Sequence, residues 1–215
     1  MNKVLITLPN HDKVTSYLFT WGREITKEKY QIEYRFLELK GKEANKEKVE
    51  SYLKKQDPKL VLFNGHGSDN LICGFKDSIL IQSEINDNLL KGKIVYALSC
   101  GSANILGKTA VKKGTESFIG YEDDFVIVTD SEREATPLKD SIASSFLKPS
   151  NRIAISLLKG KTTGESSEKS KEEFKKEIKK YLSSSYEDGT EQIISYLLWD
   201  MNNQVVLGNS EAKLI

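Results

Sequence analysis

Four short apolar runs, separated by helix-like segments, limit what this chain can fold into. The runs are KVLITL at 3–8, KLVLFN at 59–64, KIVYAL at 93–98 and ESFIGY at 116–121. They contain many β-branched and aromatic residues, which is typical of strands. Strands that alternate with helices along a chain favour a sheet in which most strands run parallel.

The segments between these runs supply the other elements of the predicted fold. Apolar residues recur at helical spacing in residues 11–25, 44–56, 83–90 and 103–114. Two further patterns predict a strand within 30–41 and a β-hairpin over 71–82. The sequence therefore predicts an α/β fold: a mostly parallel sheet flanked by helices on both faces, in a three-layer sandwich with an added β-hairpin.

The length and the polar second half favour one domain. With 215 residues, the chain fits a single domain over 1–215. Residues 151–204 are polar and predict a helical C-terminal portion, after which VVLG at 205–208 resembles a short strand. Residues 131–141 predict a polar loop, and the sequence leaves open whether this loop covers a cleft or is a site where the protein is processed.

Charge and composition exclude several classes of partner. The chain has 32 basic and 31 acidic residues, so no net field predicts binding to nucleic acid or to a membrane surface. No stretch approaches the roughly 18 apolar residues of a membrane span, and the N-terminal apolar run is too short for a signal peptide. We therefore expect a cytoplasmic protein in which Cys73 and Cys100 are free thiols.

The two motifs that carry chemistry each follow a predicted strand. His66 lies in LVLFNGHGS and Cys100 in IVYALSCGSA, and each side chain is followed by a glycine. Because ligand sites collect where parallel strands end, both side chains are expected in one crevice. An imidazole close to the thiol, and the helix predicted after it, would lower the pKa of Cys100. The amides of Gly67 and Cys100 are candidates for an oxyanion hole.

These two motifs resemble the paired signature of the caspase-like cysteine peptidases, in which one strand ends in His-Gly and another in the nucleophilic Cys. The resemblance is greatest to the bacterial branch with gingipain-type and CHAT-domain peptidases, and VVLGNSEAKL at 205–214 is similar to a segment that often closes that domain. Asn209 and Ser210 replace its usual Asp-Pro. The resemblance implies that His66 is the general base and Cys100 the nucleophile of a peptidase that works through a thioester, without a metal or organic cofactor.

The order of the motifs separates this chain from other thiol hydrolases. Papain-like enzymes place Cys before His, and amidotransferase-like folds use a nucleophile elbow with a later His. Here no histidine follows Cys100, so imidazole-dependent chemistry must use His66 or His11. The better interpretation of His11 is a residue in the first turn of a helix that Asp12 or Asn10 caps.

Four acidic residues follow predicted strands and are candidates for a substrate pocket. They are Asp12, Glu122, Asp123 and Asp124. A carboxylate in the cleft would favour Lys or Arg before the cleaved bond, although solvation of the loops is an equally good interpretation. With two histidines and two cysteines, the sequence does not predict a zinc site, and it has no nucleotide-binding motif.

Three functions remain open on the sequence. The first is an endopeptidase that cuts a peptide or protein substrate, with a possible preference for a basic residue. The second is an inactive caspase-like module that binds a protein partner through the same cleft, within a larger assembly. The third is a hydrolase or amidase of small molecules that uses the same thiol.

Overall fold

A computed structural model describes residues 2–27, 33–183 and 189–214, and its main sheet has six strands. In chain order these are β1 (Asn2–Leu8), β2 (Tyr34–Lys40), β3 (Leu60–Asn64), β7 (Ile94–Leu98), β8 (Ser117–Tyr121) and β9 (Gln204–Gly208). Their order across the sheet is β2-β1-β3-β7-β8-β9. All neighbours pair in parallel except β8 and β9, which are antiparallel.

A smaller antiparallel sheet follows β3 directly. Its strands are β4 (Gly67–Ser68), β5 (Leu71–Cys73) and β6 (Ile79–Gln82). The predicted hairpin is therefore present, and β4 adds a third strand that begins at the residue after His66. This placement ties the His66 turn to a second sheet.

Within the described ranges, six α-helices connect and cover the strands. They are α1 (Lys13–Ile25), α2 (Lys46–Gln56), α3 (Lys108–Lys112), α4 (Ser141–Leu158), α5 (Thr163–Ser183) and α6 (Thr190–Asn203). Within the described part of the chain, no helix is both long and apolar enough to cross a membrane.

The sheet buries both of its faces, because alternate residues of each strand point to opposite sides. On one face, α1 and α4 pack against residues such as Ile6, Leu62 and Tyr96. On the other face, α2, the small sheet and the segment after β7 pack against residues such as Val61, Phe63 and Phe118. The predicted three-layer α/β sandwich is therefore confirmed.

Two of the predicted helices have a different form in the structure. Residues 83–90 form a turn and a short 3-10 helix at Asp87–Leu90, because the Asn86 side chain accepts from the Gln82 N–H and donates to the Leu80 carbonyl. It thus closes the end of β6 and does not cap a helix. The helix predicted over 103–114 begins as a π-helical turn at Ala103–Gly107 and continues as α3.

A third difference is the start of the C-terminal helical portion. Helix α4 begins ten residues before the predicted position 151, at Ser141, because the Asp140 carboxylate accepts from the Ala143 N–H and caps it. The polar residues between Ser141 and position 151 did not indicate a helix in the sequence. The predicted loop over 131–141 contains two 3-10 turns, and the predicted strand VVLG is confirmed as part of β9.

Candidate active site

His66 and Cys100 follow neighbouring parallel strands at the same edge of the sheet. The last pair of residues between β3 and β7 is Asn64 and Leu98, and each reactive residue lies two positions beyond that pair. The Ser99 hydroxyl donates to the His66 carbonyl at 2.9 Å and so joins the two turns directly. The structure therefore brings the backbones of the two motifs together, as the sequence predicts.

The side chain of His66 is turned towards helix α1. Its Nε2 atom lies 2.7 Å from Oδ2 of Asp12, and both side chains are a little over one-third exposed. Asp12 is held by its other oxygen, which accepts from the Thr15 N–H at 2.7 Å and forms a capping box at the start of α1. One carboxylate thus caps the helix and orients the imidazole.

These contacts decide which nitrogen of His66 can act as a base. Although partial burial raises the pKa of Asp12, hydrogen bonds from Thr15 and His66 hold that pKa below its usual value. An ionised carboxylate accepts hydrogen bonds only, so the proton between Asp12 and His66 belongs to Nε2. The lone pair of the neutral ring is then on Nδ1.

The thiol of Cys100 is half-buried and contacts the backbone of the segment after β8. It donates to the carbonyl of Phe125 at 3.8 Å, and no hydrogen bond joins it to His66 among the described residues. Burial raises the pKa of Cys100, and the nearby charge of Asp124 raises it further. The predicted lowering of this pKa is therefore not found, because desolvation of the thiol is the largest cause of the shift.

The segment that contacts the thiol is anchored to helix α6. The Trp199 indole donates to the Asp124 carbonyl at 2.9 Å, and the Asp200 carboxyl group accepts from the Val126 N–H at 2.9 Å. Phe125 lies between these two anchors, and its ring packs against Tyr121 at the end of β8. The position of the carbonyl over the thiol therefore depends on α6.

The predicted oxyanion-hole amides lie in the turns that meet here. Among the described residues, the Cys100 N–H has no hydrogen-bond acceptor, so it is available to a developing oxyanion. Gly67 lies directly against this turn: a Cβ atom at this position would be 3.2 Å from the Cys100 carbonyl oxygen. Only a residue without a side chain fits there.

Gly67 gives a first prediction about the packing of the two turns. A Cβ atom at this position would also overlap Ser99 Oγ and would lie 2.9 Å from the Leu71 carbonyl oxygen. We expect Gly67→Ala to separate the turns and to lower the free energy of unfolding by about 1–3 kcal/mol, measured by urea denaturation. Ser68→Ala, at the exposed next position, is the matched control, and equal stability of the two variants would contradict the packing described here.

An open pocket of about 520 Å³ lies beside Gly67 and Gly101. Its acidic lining residues are Asp69, Asp123 and Asp124. The Asp123 carbonyl accepts from the Gly101 N–H at 2.9 Å, which fixes this wall next to the thiol turn. The pocket is therefore electronegative and adjoins both reactive turns.

The four predicted pocket residues take different places. Asp123 and Asp124 line this pocket, whereas Glu122 lies 3.4 Å from Lys108 Nζ in an ion pair, and Asp12 contacts His66. Asp69 was missed by the sequence analysis, although it lies three residues after His66 in the same turn. Its closeness to His66 in the sequence could have identified it as a candidate pocket residue.

Cys73 has the environment of a structural cysteine. It is 7% exposed in strand β5, and burial followed by the charge of Asp77 raises the pKa of its thiol. It therefore offers a matched control for the chemistry of Cys100.

Two solved structures share this architecture. The crystal structure of gingipain R, an Arg-specific cysteine proteinase, matches 98% of this chain with a TM-score of 0.59 and 11% sequence identity, over 46% of its own chain. The complex of the pro- and mature domains of RgpB from Porphyromonas gingivalis matches 98% of this chain with a TM-score of 0.60 and 10% identity, over 47% of its own chain.

The present chain thus spans less than half the length of either structure. Comparisons with family models and with curated proteins gave no match. At such identities the likeness establishes the fold alone. The chain has a caspase-like α/β fold, similar to that of gingipain R.

Proposed function

We propose that this protein is a cysteine peptidase in which Cys100 is the nucleophile and His66 the general base. The observation that carries the proposal is that both residues follow neighbouring strands at one sheet edge, where Asp12 orients the imidazole. A nucleophile, a base and a group that orients the base are the three components that activate thiols in hydrolases. The fold of gingipain R supports the same chemistry.

The first chemical step forms a thioester. Nδ1 of His66 accepts the thiol proton, and the Cys100 sulfur attacks the carbonyl carbon of the peptide bond. The resulting oxyanion is stabilised by the Cys100 N–H and by the amide of Gly67. The C–N bond then breaks, and the amine leaves with the proton that His66 had accepted.

The second step releases the acid product. A water molecule attacks the thioester carbonyl while His66 takes one of its protons, and breaking the C–S bond returns the sulfur to Cys100, which regains its proton. Asp12 stays ionised throughout and stabilises the imidazolium that forms in both steps. The resting thiol must turn from Phe125 towards His66 before the first step, and bound substrate supplies the contacts for this change.

The acidic pocket suggests a substrate with a basic residue before the cleaved bond. Asp69, Asp123 and Asp124 line it with little compensating positive charge, so a Lys or Arg side chain is favoured there over an acidic one. Gingipain R is described as Arg-specific, which agrees with this preference. Membership of the CHAT branch and a cytoplasmic location remain predictions from the sequence.

One observation favours a second candidate function, an inactive module that binds a protein partner. Cys100 donates to a carbonyl and has a raised pKa, so the resting thiol is a poor nucleophile. A chain that binds through this cleft without turnover would keep such a thiol.

Labelling of Cys100 separates the two functions. We expect an acyloxymethyl ketone probe with Lys or Arg beside its reactive group to label the wild type and Cys73→Ala equally, and to leave Cys100→Ala unlabelled. The measurement is intact-protein mass spectrometry, followed by identification of the modified peptide. A probe with Asp in place of Lys is the specificity control and should label more slowly.

Two outcomes would count against a peptidase. Equal labelling of Cys73 and Cys100 would show that Cys100 is not activated. Labelling of Cys100 that is unaffected by His66→Ala would show that the imidazole does not act on the thiol, and both results would favour the binding module.

A further inference from the structure

We propose that His11, Asp12 and His66 form a binding site for a divalent transition-metal ion such as Zn²⁺. We further propose that the bound ion prevents His66 from acting as a base. The regulatory part rests on the proposed function, whereas the binding part does not. One ring nitrogen of each histidine and one Asp12 oxygen lie within 4.8 Å of one another. Although the chain has only two histidines, the fold brings both to one place.

His11 supplies an observation that is independent of the catalytic arrangement. Its side chain is only 10% exposed, and its buried Nε2 has no hydrogen-bond partner among the described residues. That atom lies 3.3 Å from Asp12 Oδ2 and 3.5 Å from Asp77 Oδ1. A cation bound between this nitrogen and the two carboxylates would give the buried nitrogen a partner.

The spacing of these atoms suits a tetrahedral ion. Two ligand atoms that are each about 2.0–2.1 Å from such an ion are separated by about 3.3–3.4 Å. The separation of 3.3 Å between His11 Nε2 and Asp12 Oδ2 has this value. The hydrogen bond of 2.7 Å between Asp12 and His66 must open slightly as the ion replaces the shared proton.

The surroundings of His11 fix its ring as those of metal ligands do. Its Nδ1 lies 3.4 Å from Thr15 Oγ1, and its ring packs edge-on against Phe75 with centroids 5.5 Å apart. Such contacts to the second nitrogen and to the ring are typical of ligating histidines. Asp77, which is 65% exposed, or a water molecule can occupy the fourth position.

The type of ligand selects the class of ion. Two imidazoles and a carboxylate suit Zn²⁺, Co²⁺ or Ni²⁺, whereas Mg²⁺ and Ca²⁺ prefer oxygen ligands alone. Asp12 and Asp77 add negative charge, which further favours a cation over a neutral ligand.

Metal binding at this position would stop the proposed catalysis through the tautomer of His66. An ion that uses the lone pair of Nε2 leaves the proton of the neutral ring on Nδ1. Nδ1 then cannot accept the thiol proton. The metal would therefore inhibit without contacting the sulfur, and Asp12 would change from an orienting group to a ligand.

The experiment measures binding first, without reference to activity. Co²⁺ absorption and Zn²⁺ calorimetry are recorded on Cys100→Ser, which removes the thiol as a ligand. We expect one bound ion, with visible Co²⁺ bands of a tetrahedral site, and at least about tenfold weaker binding in His11→Gln and His66→Gln. Thermal unfolding without metal shows that both variants are folded.

Inhibition is then measured on chains that keep Cys100. We expect Zn²⁺ to block probe labelling of the wild type but not of His11→Gln, when each protein is compared with its own labelling in the absence of metal. Binding that disappears in Cys100→Ser but persists in His11→Gln would overturn the proposal, because the thiol would then be the ligand. Absence of any bound Co²⁺ would also overturn it. A bound ion in a protein that no probe labels would support the metal site and contradict the proposed peptidase.

Discussion

Replacing Asp12 by asparagine is expected to lower the kcat/KM for peptide cleavage about 100-fold or more. The amide oxygen of the new side chain can still accept from the Thr15 N–H, so the cap of α1 is kept. The amide NH₂ then faces His66 Nε2 as a donor, which forces the ring proton onto Nδ1 and removes the base. The measurement is steady-state cleavage of a peptide with Lys or Arg before the cut.

Thr15→Val is the control for this variant. It removes the hydroxyl of the capping box and should cost about 1 kcal/mol of stability while Asp12 still contacts His66. Its kcat/KM should stay close to that of the wild type. If Asp12→Asn cleaved as fast as Thr15→Val, Asp12 would be a helix cap and nothing more.

The second large effect is a pH dependence of stability that Asp200 causes. Burial raises the pKa of this carboxyl from its ordinary 3.8 to about 8, and the hydrogen bond from the Val126 N–H only partly opposes the shift. In the native protein the group keeps its proton up to about pH 8, whereas the unfolded chain releases it near pH 4. Between these values the native state holds one more proton than the unfolded state.

The sign of the effect follows from that difference. The contribution of Asp200 to stability is complete below about pH 4 and is lost as the pH rises to about 8, at about 1.4 kcal/mol for each pH unit. We expect Asp200→Asn, which cannot ionise, to remove this part of the slope. Urea denaturation of both proteins at pH 5, 6, 7 and 8 gives the difference, and parallel stability curves would contradict a buried, neutral Asp200.

The positions of His66 and Cys100 were predictable from the sequence, whereas their partners were not. Apolar runs that end in glycine turns mark strand ends, so LVLFNGHG and IVYALSCG could be placed at one sheet edge. The contact between Asp12 and His66 depends on β1 lying beside β3, and no local pattern contains this pairing of strands.

The raised pKa of Cys100 could not be predicted for a similar reason. It depends on a segment after β8 that covers the thiol and on the anchors of that segment in α6, far along the chain. Local capping decided the differences in helices: Asn86 closes β6, and Asp140 starts α4 earlier than its polar sequence suggests.

The antiparallel strand β9 has a consequence for the order in which the protein folds. Tyr121 of β8 and Gln204 of β9 are hydrogen-bonded neighbours although 83 residues separate them. Until the chain beyond α6 has formed, β8 presents an open edge that can pair with another polypeptide. Contacts of such long range slow folding. The helices α4, α5 and α6 must therefore assemble quickly enough to deliver the closing strand before a competing chain takes its place.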